Sequence, residues 1–373
     1  MKPTHLDRGC EPETILIVLP TWVGDFVMAT PMLRAVRRRY AAARITFLAD
    51  ANLCELIRGG DWMDEVMTWP ARSQRGLLRR PYRALVRACR ARRFDLAITL
   101  ANSFRSALIM RLAGARRRIG YDRDGRGMLL TDRVPVRNRM HGGFIPMPLV
   151  AYYADLAEAA GCDRPDDRLE LFTTADADAV VAARLASNGV VPGVGSCGDP
   201  SRGPLVVISP GAKYGAAKCW PPERFAGVAD RMIARHSATV VVTCGPGEEA
   251  IARAIAAAME QRALVCDDPP LSLGELKSLI RGSDLLICND AGPRHIAKAF
   301  GVAVVTVFGP THPEWTATSY AAERIVRIDV DCGPCQQRTC PLGHVKCMTG
   351  VTVDAVYDAA CTLMTGVGRR VAL

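Results

Sequence analysis

Short apolar runs alternate with longer stretches whose apolar positions recur at helical spacing, from near the start of the chain to its end. That rhythm predicts strands and helices in strict alternation, the pattern of parallel α/β layers. In the first half the runs "ILIVLP" (15–20), "RITFLA" (44–49), "EVMTW" (65–69), "DLAITL" (95–100) and "RRIGY" (117–121) predict strands with helices between them. In the second half "LVVISP" (205–210), "TVVVTCG" (239–245), "ALVCD" (263–267), "DLLICN" (284–289) and "VAVVTVFG" (302–309) repeat the rhythm. Two doubly wound sheets follow. Between them "NGVVPGVGSCGDPSRGP" (188–204) is dense in Gly, Pro and Ser and reads as an exposed linker. The expected organisation is a disordered start (1–13), a Rossmann-like domain (14–187), the linker, a second Rossmann-like domain (205–350) and a C-terminal helix (351–373). Two such domains in tandem are expected to face each other across a cleft, with ligands at the carboxyl ends of the strands.

The length of 373 residues agrees with two cores of about 150–200 residues each. A hydrophobic content of 49% and a charged content of 23% are those of a globular protein. No apolar stretch reaches the ~18 residues of a spanning helix, and "MKPTHLDRGCEPET" lacks the apolar region of a signal peptide. A cytoplasmic protein is expected. Many of the 14 Cys lie inside apolar strands such as "VVVTCG" and "LLICND", which suits reduced, buried thiols.

Charge changes the picture. Residues 1–150 carry 27 Lys and Arg against 13 Asp and Glu, a net +14 of the chain's +10, so the remainder is acidic at −4. The first domain therefore faces an anionic partner: nucleic acid, an acidic membrane surface or a polyanionic substrate. Residues 72–93, "RSQRGLLRRPYRALVRACRARR", hold nine Arg and no acid around an apolar stripe of Leu77, Leu78, Tyr82, Leu85, Val86 and Cys89. The stripe is expected to pack on the sheet, leaving an Arg face that is either simply solvated or drawn to anionic headgroups.

Candidate chemistry gathers where strands run into helices. In "ICNDAGPRHIAKAFG" (287–301), Gly292 permits a tight turn, and the amides of Ala291 through Arg294 would point out of a helix N-terminus as an anion site. Asp290 either accepts from a sugar or ribose hydroxyl or caps the helix, and His295 either donates to a phosphate oxygen or sits at the core edge. In "SPGAKYGAAKCWPPERF" (209–225), Ser209 and Gly211 follow a strand, and Lys213 and Lys218 lie in the loop, where at least one is expected to meet phosphate. Glu248, in "CGPGEEA", either complements a helix dipole or contacts a ribose. Gly24 and Asp25, in "PTWVGDFVMATP", stand at a helix entrance after the first strand, where an Asp either complements the dipole or serves as a general base. Near the C-terminus Cys332, Cys335, Cys340 and Cys347 follow a C-x2-C-x4-C-x6-C spacing with His344 inside. A zinc knot is one reading; a structural loop, reduced or reversibly oxidised, is preferred, because the second pair is wider than zinc spacing.

These segments, in this order, resemble the heptosyltransferases of glycosyltransferase family 9 from about residue 14 onward. "ILIVLPTWVGDFVMATPMLRAVRRRY" resembles the family's opening strand, Gly-Asp loop and helix, and "SPGAKYGAAKCWPPERF", "GPGEEA" and "NDAGPRHIAKAFGVAVVTVFGPT" resemble its nucleotide-sugar segments. "LANSFRSALIMRLAGARRRIGYDRDGRGMLLTDRV" and "CGPCQQRTCPLGHVKCM" are most similar to the heptosyltransferase II branch, which adds the second heptose. The resemblance implies a GT-B fold, ADP-heptose as donor, a heptosyl-Kdo-lipid A acceptor in lipopolysaccharide, and inverting transfer without metal or other cofactor. It implies Asp25 as base, Lys218 on the donor phosphates, and Asp290, Gly292 and His295 around the diphosphate and sugar. With the residues read above, the candidate donor set is Ser209, Gly211, Lys213, Lys218, Glu248, Asp290, Ala291, Gly292 and His295. The candidate acceptor set is Gly24, Asn102, Arg105 and Arg123, and no metal site is expected. The enzyme would work at the cytoplasmic face of the inner membrane, held peripherally on its anionic surface, with no nucleic acid as partner. Two departures stand out: Ala291 replaces the family's usual Thr or Ser, and the insertion at 193–203 has no counterpart. The alternatives are a family relative that adds a different heptose or uses another sugar nucleotide, and a non-catalytic nucleic-acid-binding α/β protein.

Overall fold

A computed structural model describes residues 11–74, 76, 79–137, 139–140, 143–190 and 203–366. The chain divides into two compact units, one running to Arg168 and including Glu314–Thr318, the other comprising Leu169–Pro313 and the rest of the chain from Ser319. The first unit contains β1 (Thr14–Val18), α1 (Val23–Arg39), β2 (Arg44–Ala49), α2 (Cys54–Ile57), β3 (Glu65–Thr68), α3 (Arg80–Ala91), β4 (Leu96–Thr99), α4 (Phe104–Leu112), β5 (Arg117–Tyr121), β6 (Asp132–Val134), a minimal hairpin of β7 (Arg139–Met140) and β8 (Gly143–Phe144), and α5 (Leu149–Ala159). The second contains α6 (Ala175–Ala186), β9 (Leu205–Ser209), α7 (Pro222–His236), β10 (Thr239–Thr243), α8 (Glu249–Ala258), β11 (Leu264–Cys266), α9 (Leu273–Gly282), β12 (Leu285–Asn289), α10 (Gly292–Ala299), β13 (Ala303–Val307), β14 (Glu323–Val326), α11 (Lys346–Thr349) and α12 (Val353–Gly366).

Each unit is built on a six-stranded sheet, in the orders β3-β2-β1-β4-β5-β6 and β11-β10-β9-β12-β13-β14. Every pairing in both is parallel. A parallel sheet is covered by helices on both faces, which is why its central strands are continuous aliphatic runs: Ile15 to Val18 and Leu285 to Cys288 are wholly buried. Chain order reverses between β1 and β4 and again between β9 and β12. Each reversal opens a crevice at the carboxyl ends of the two strands, where open α/β sheets bind ligands. The first crevice receives the start of α1, which bears Gly24 and Asp25, and the loop that bears Asn102; the second receives the segments that bear Lys218 and Asp290.

The sequence reading needs four corrections. The first domain was expected to end at residue 187, but the division falls at 168/169, and α6 packs on α9, with Asp178 paired to Arg281 at 3.0 Å. The C-terminal helix is not separate: Val356, Ala360 and Leu363 of α12 belong to the core formed with Trp220, Phe225 and Val305. The edge strands β6 and β14 were not foreseen, being three and four residues long with polar or charged residues in each. Residues 72–93 are not wholly unopposed, since Arg92 grips Glu65 of β3 through Nε at 3.0 Å and through Nη2. The rest of that segment follows the pattern. Tyr82, Leu85 and Cys89 are buried, and Arg79, Arg83, Arg87 and Arg90 are exposed, while Leu77 and Leu78 lie outside the described residues. So do residues 1–10 and most of the expected linker and insertion.

Candidate active site

In the first unit, Asp25 occupies the first turn of α1, half-buried, one residue after Gly24. No side chain caps that helix; its N-cap is Trp22, itself 41% exposed. Asp25 lies close enough to the buried Tyr153 for its charge to act there: burial first, then Asp25, raises the Tyr153 pKa well above the usual phenol value. Asn102 stands on the loop after β4, and its Oδ1 accepts from the Tyr152 hydroxyl at 2.9 Å and from Arg126 Nη2 at 2.7 Å. Arg126, wholly buried, also donates to the carbonyls of Ala101 at 2.6 Å and Tyr121 at 2.9 Å. This guanidinium therefore ties the loop after β4 to the loop after β5. Arg123 lies over the Phe144 ring at 4.5 Å and hydrogen-bonds Asp124 at 3.0 Å. Arg105, in the first turn of α4, is exposed.

In the second unit the loop from Ser209 to Trp220 is fixed at both ends by one side chain. Asn289, buried at the end of β12, donates to the Pro210 carbonyl at 2.5 Å and accepts from the Trp220 amide at 3.1 Å. Trp220 anchors below, donating to the Val351 carbonyl at 3.1 Å and packing edge-on against Phe225. Further along, Tyr214 donates to the Gln336 carbonyl at 2.6 Å and the Ala217 amide to the Arg338 carbonyl at 3.1 Å, so the cysteine-rich segment braces this loop. The result sorts the two lysines. Lys213 is exposed, whereas the Lys218 side chain is only 11% exposed and its ammonium meets the Asp290 carboxylate, with a second bond of 3.2 Å to the Asp290 carbonyl. Ser209 is the buried last residue of β9. Gly211 is needed for space: a Cβ there would stand 2.0 Å from the carboxylate of Glu248, which accepts from the Gly245 amide at 3.1 Å. Glu248, the N-cap residue of α8, thus packs its carboxylate against Gly211 and holds the Gly245 amide rather than only complementing a dipole.

The start of α10 differs from the expectation. Its N-cap is Ala291, with no side-chain cap, so Asp290 does not cap it. Asp290 instead receives Lys218 and, at 2.8 Å, the Thr311 hydroxyl, and faces Arg294 at 3.4 Å. Three donors therefore stand at the Asp290 carboxylate. Gly292 is the first residue of the helix. Pro293 has no amide hydrogen and the Arg294 amide bonds to the Ala291 carbonyl at 3.2 Å, so the anion-binding amides narrow to Ala291 and Gly292. His295 is 3% exposed, and its Nδ1 has no hydrogen-bond partner among the described residues. Burial, then the charges of Arg294, Lys298 and Lys218, push its pKa well below the usual imidazole value. It meets any ligand as a neutral ring.

Cys332, Cys335, Cys340, Cys347 and His344 line one small cavity, and the thiols are free. Among the described residues no group of three or more His, Cys, Asp or Glu is placed to hold a metal ion, and no helix is long and apolar enough to cross a membrane.

A match to glycosyltransferase family 9 (heptosyltransferase) covers residues 82–346, most of the chain and both units. The chain belongs to glycosyltransferase family 9. It is 28% identical to the lipooligosaccharide heptosyltransferase 2 of Haemophilus ducreyi, over 92% of this chain and 97% of the relative. It is 24% identical to the lipopolysaccharide heptosyltransferase 2 of Salmonella typhimurium, over 95% and 99%. Among solved structures, the E. coli ADP-heptose lps heptosyltransferase II superposes with a TM-score of 0.74 at 24% identity, covering 95% of this chain and 99% of the other. A family 9 glycosyltransferase from Veillonella parvula superposes at 0.76 and 20% identity, over 95% and 97%. The fold of this glycosyltransferase is GT-B, and each of its Rossmann-like units brings a set of polar side chains to its own crevice. Several members of those sets had no signal in the sequence. Arg126 is one of four Arg and Asp residues in "DRDGRG", and only burial distinguishes it; Asn289, Arg294, Thr311 and Glu323 become visible only through contacts to distant positions.

Proposed function

We propose that this glycosyltransferase transfers heptose from ADP-heptose to the heptose-bearing inner core of lipopolysaccharide, adding the second heptose at the cytoplasmic face of the inner membrane. The observation that carries the reading is near-full-length similarity to relatives named heptosyltransferase 2, on a chain whose second-unit crevice holds a lysine ammonium beside a helix N-terminus. Such a pair suits a diphosphate. Asp25 is the base that takes the proton from the attacking acceptor hydroxyl, Lys218 and the amides of Ala291 and Gly292 hold the leaving diphosphate, and Glu248 contacts the ribose. Gly24, Asn102, Arg105 and Arg123 form the acceptor side, with the Arg side chains answering its anionic groups. Incubation with ADP-heptose and a one-heptose acceptor, followed by mass spectrometry, tests this: the acceptor gains one heptose. No gain on that acceptor, with gain on a heptose-free or a two-heptose acceptor, assigns the chain to the first or third addition instead, activities named for other relatives at 25% identity.

Transfer is expected to be metal-independent, because Lys218 and helix amides supply the charge that a divalent cation would otherwise bring to the leaving group. Activity therefore survives EDTA at full rate; a loss restored by added divalent cation refutes this. The exposed Arg79, Arg83, Arg87 and Arg90 of and beside α3 serve membrane recruitment. Replacing all four by Gln is expected to weaken binding to vesicles containing anionic lipid several-fold, an effect that fades as salt rises, with ADP affinity unchanged. Unaltered vesicle binding at low salt leaves them as surface charge only.

A further inference from the structure

A line of buried charges runs inward from the donor loop. Lys218 meets Asp290, Asp290 faces Arg294 at 3.4 Å, Arg294 grips Glu323 through Nε and, at 3.0 Å, through Nη2, and Glu323 also holds Lys298 at 2.6 Å. The Arg294 and Lys298 side chains are 0% and 1% exposed, and those of Asp290 and Glu323 are 8% and 9%. Burial by itself would raise the Glu323 pKa, yet Arg294 and Lys298 hold it below the usual carboxylate value. His295 beside them is kept neutral.

The geometry says how the Lys218 ammonium is aimed. The two-point grip of Glu323 fixes the plane of the Arg294 guanidinium, as a fork-to-carboxylate pair does. Arg294 then faces one oxygen of Asp290, and Thr311 at 2.8 Å fixes the other, the one that receives Lys218. Lys218 gives one hydrogen to that oxygen and one to the Asp290 carbonyl at 3.2 Å, over the Tyr214 ring at 4.7 Å. An ammonium has three hydrogens. The third remains for a ligand.

We propose that Arg294 and Glu323 are positioning residues for the donor: acting through Asp290 they orient the Lys218 ammonium toward the phosphates of a nucleoside diphosphate. This rests on Lys218 being the phosphate contact, and the test separates the two ideas. ADP affinity is measured by calorimetry on the full chain for wild type, Lys218→Ala, Arg294→Met and the double variant. Each single change is expected to weaken ADP binding about tenfold, and Arg294→Met added to Lys218→Ala is expected to cost less than about twofold more, because its effect passes through the missing ammonium. Glu323→Gln should behave as Arg294→Met does. Losses that simply add, as a general loosening of the fold would give, overturn the proposal; so does unchanged affinity in Arg294→Met when Lys218→Ala is weakened. Unchanged affinity in Lys218→Ala overturns the donor-site reading and the proposal together. Should Arg294→Met fail to fold, Thr311→Val carries the same cycle: about threefold weaker in the wild-type background and no further loss beside Lys218→Ala.

Discussion

Asp25→Asn is expected to lower the rate of heptose transfer about 100-fold or more while leaving the fold and ADP affinity as they are. Inverting transfer needs the acceptor hydroxyl to attack the anomeric carbon from the face opposite the departing diphosphate. A sugar hydroxyl is a poor nucleophile until its proton begins to leave, and the transition state has oxocarbenium character. A carboxylate on the acceptor side can take the proton and favour the developing positive charge, whereas an amide of the same shape can do neither. Asp25 is the only carboxylate between Glu13 and Asp50. It stands in the first turn of α1, at the crevice between β1 and β4. The competing role is that of an acid complementing its helix dipole, worth about 0.3–1 kcal/mol of stability. That role predicts a small drop in melting temperature and a near-normal rate. Single-turnover transfer to a one-heptose acceptor, with ADP binding as the control for folding, separates the two. A rate within a few-fold of wild type ends the assignment of Asp25 as base.

The fold was legible because it is encoded locally. The run "RITFLA" coincides with β2 residue for residue, and five of its six residues are buried, since burial on both faces selects apolar side chains. β6 and β14 were hidden for the converse reason: an edge strand is half-solvated, and "DRV" and "ERIV" carry no apolar run to detect. The division at 168/169 was hidden because α6 looks like any amphipathic helix, and only its packing on α9 and the Asp178–Arg281 pair assign it to the second unit. The candidate site divides in the same way. Asp25, Lys218 and Asp290 were picked out as polar residues just after strands, a position that the crevice rule makes significant. What each does depends on partners far along the chain, 72 residues away for Lys218 and Asp290 and 29 for Arg294 and Glu323. Hence Asp290 read as a candidate helix cap, and the bonds it receives from Thr311 and Lys218 had no local signal.

Lys218→Ala is expected to weaken ADP binding at least tenfold, and Lys213→Ala by less than about twofold. The sequence offers the two lysines as equals, five residues apart in one loop. The structure separates them: Lys213 points to an exposed position, while Lys218 is drawn under the loop to Asp290. A charge-assisted bond to phosphate contributes on the order of 1.5–3 kcal/mol, which corresponds to about 10- to 150-fold in affinity. The variant should remain folded, since Asp290 keeps Thr311 at 2.8 Å and Arg294 at 3.4 Å when the lysine is gone and is not stranded as an unpaired buried charge. Two features give the measurement its power. The loss should be larger for ADP than for AMP, because the ammonium is assigned to the diphosphate and not to the adenosine. It should also persist as salt rises, because a mostly buried contact is screened far less than an exposed one. Calorimetry with ADP and AMP at low and high salt reads both. If Lys213→Ala shows the large loss and Lys218→Ala the small one, the phosphate belongs to Lys213, and the pair of Lys218 with Asp290 is a structural tie that holds the loop after β9 to the start of α10.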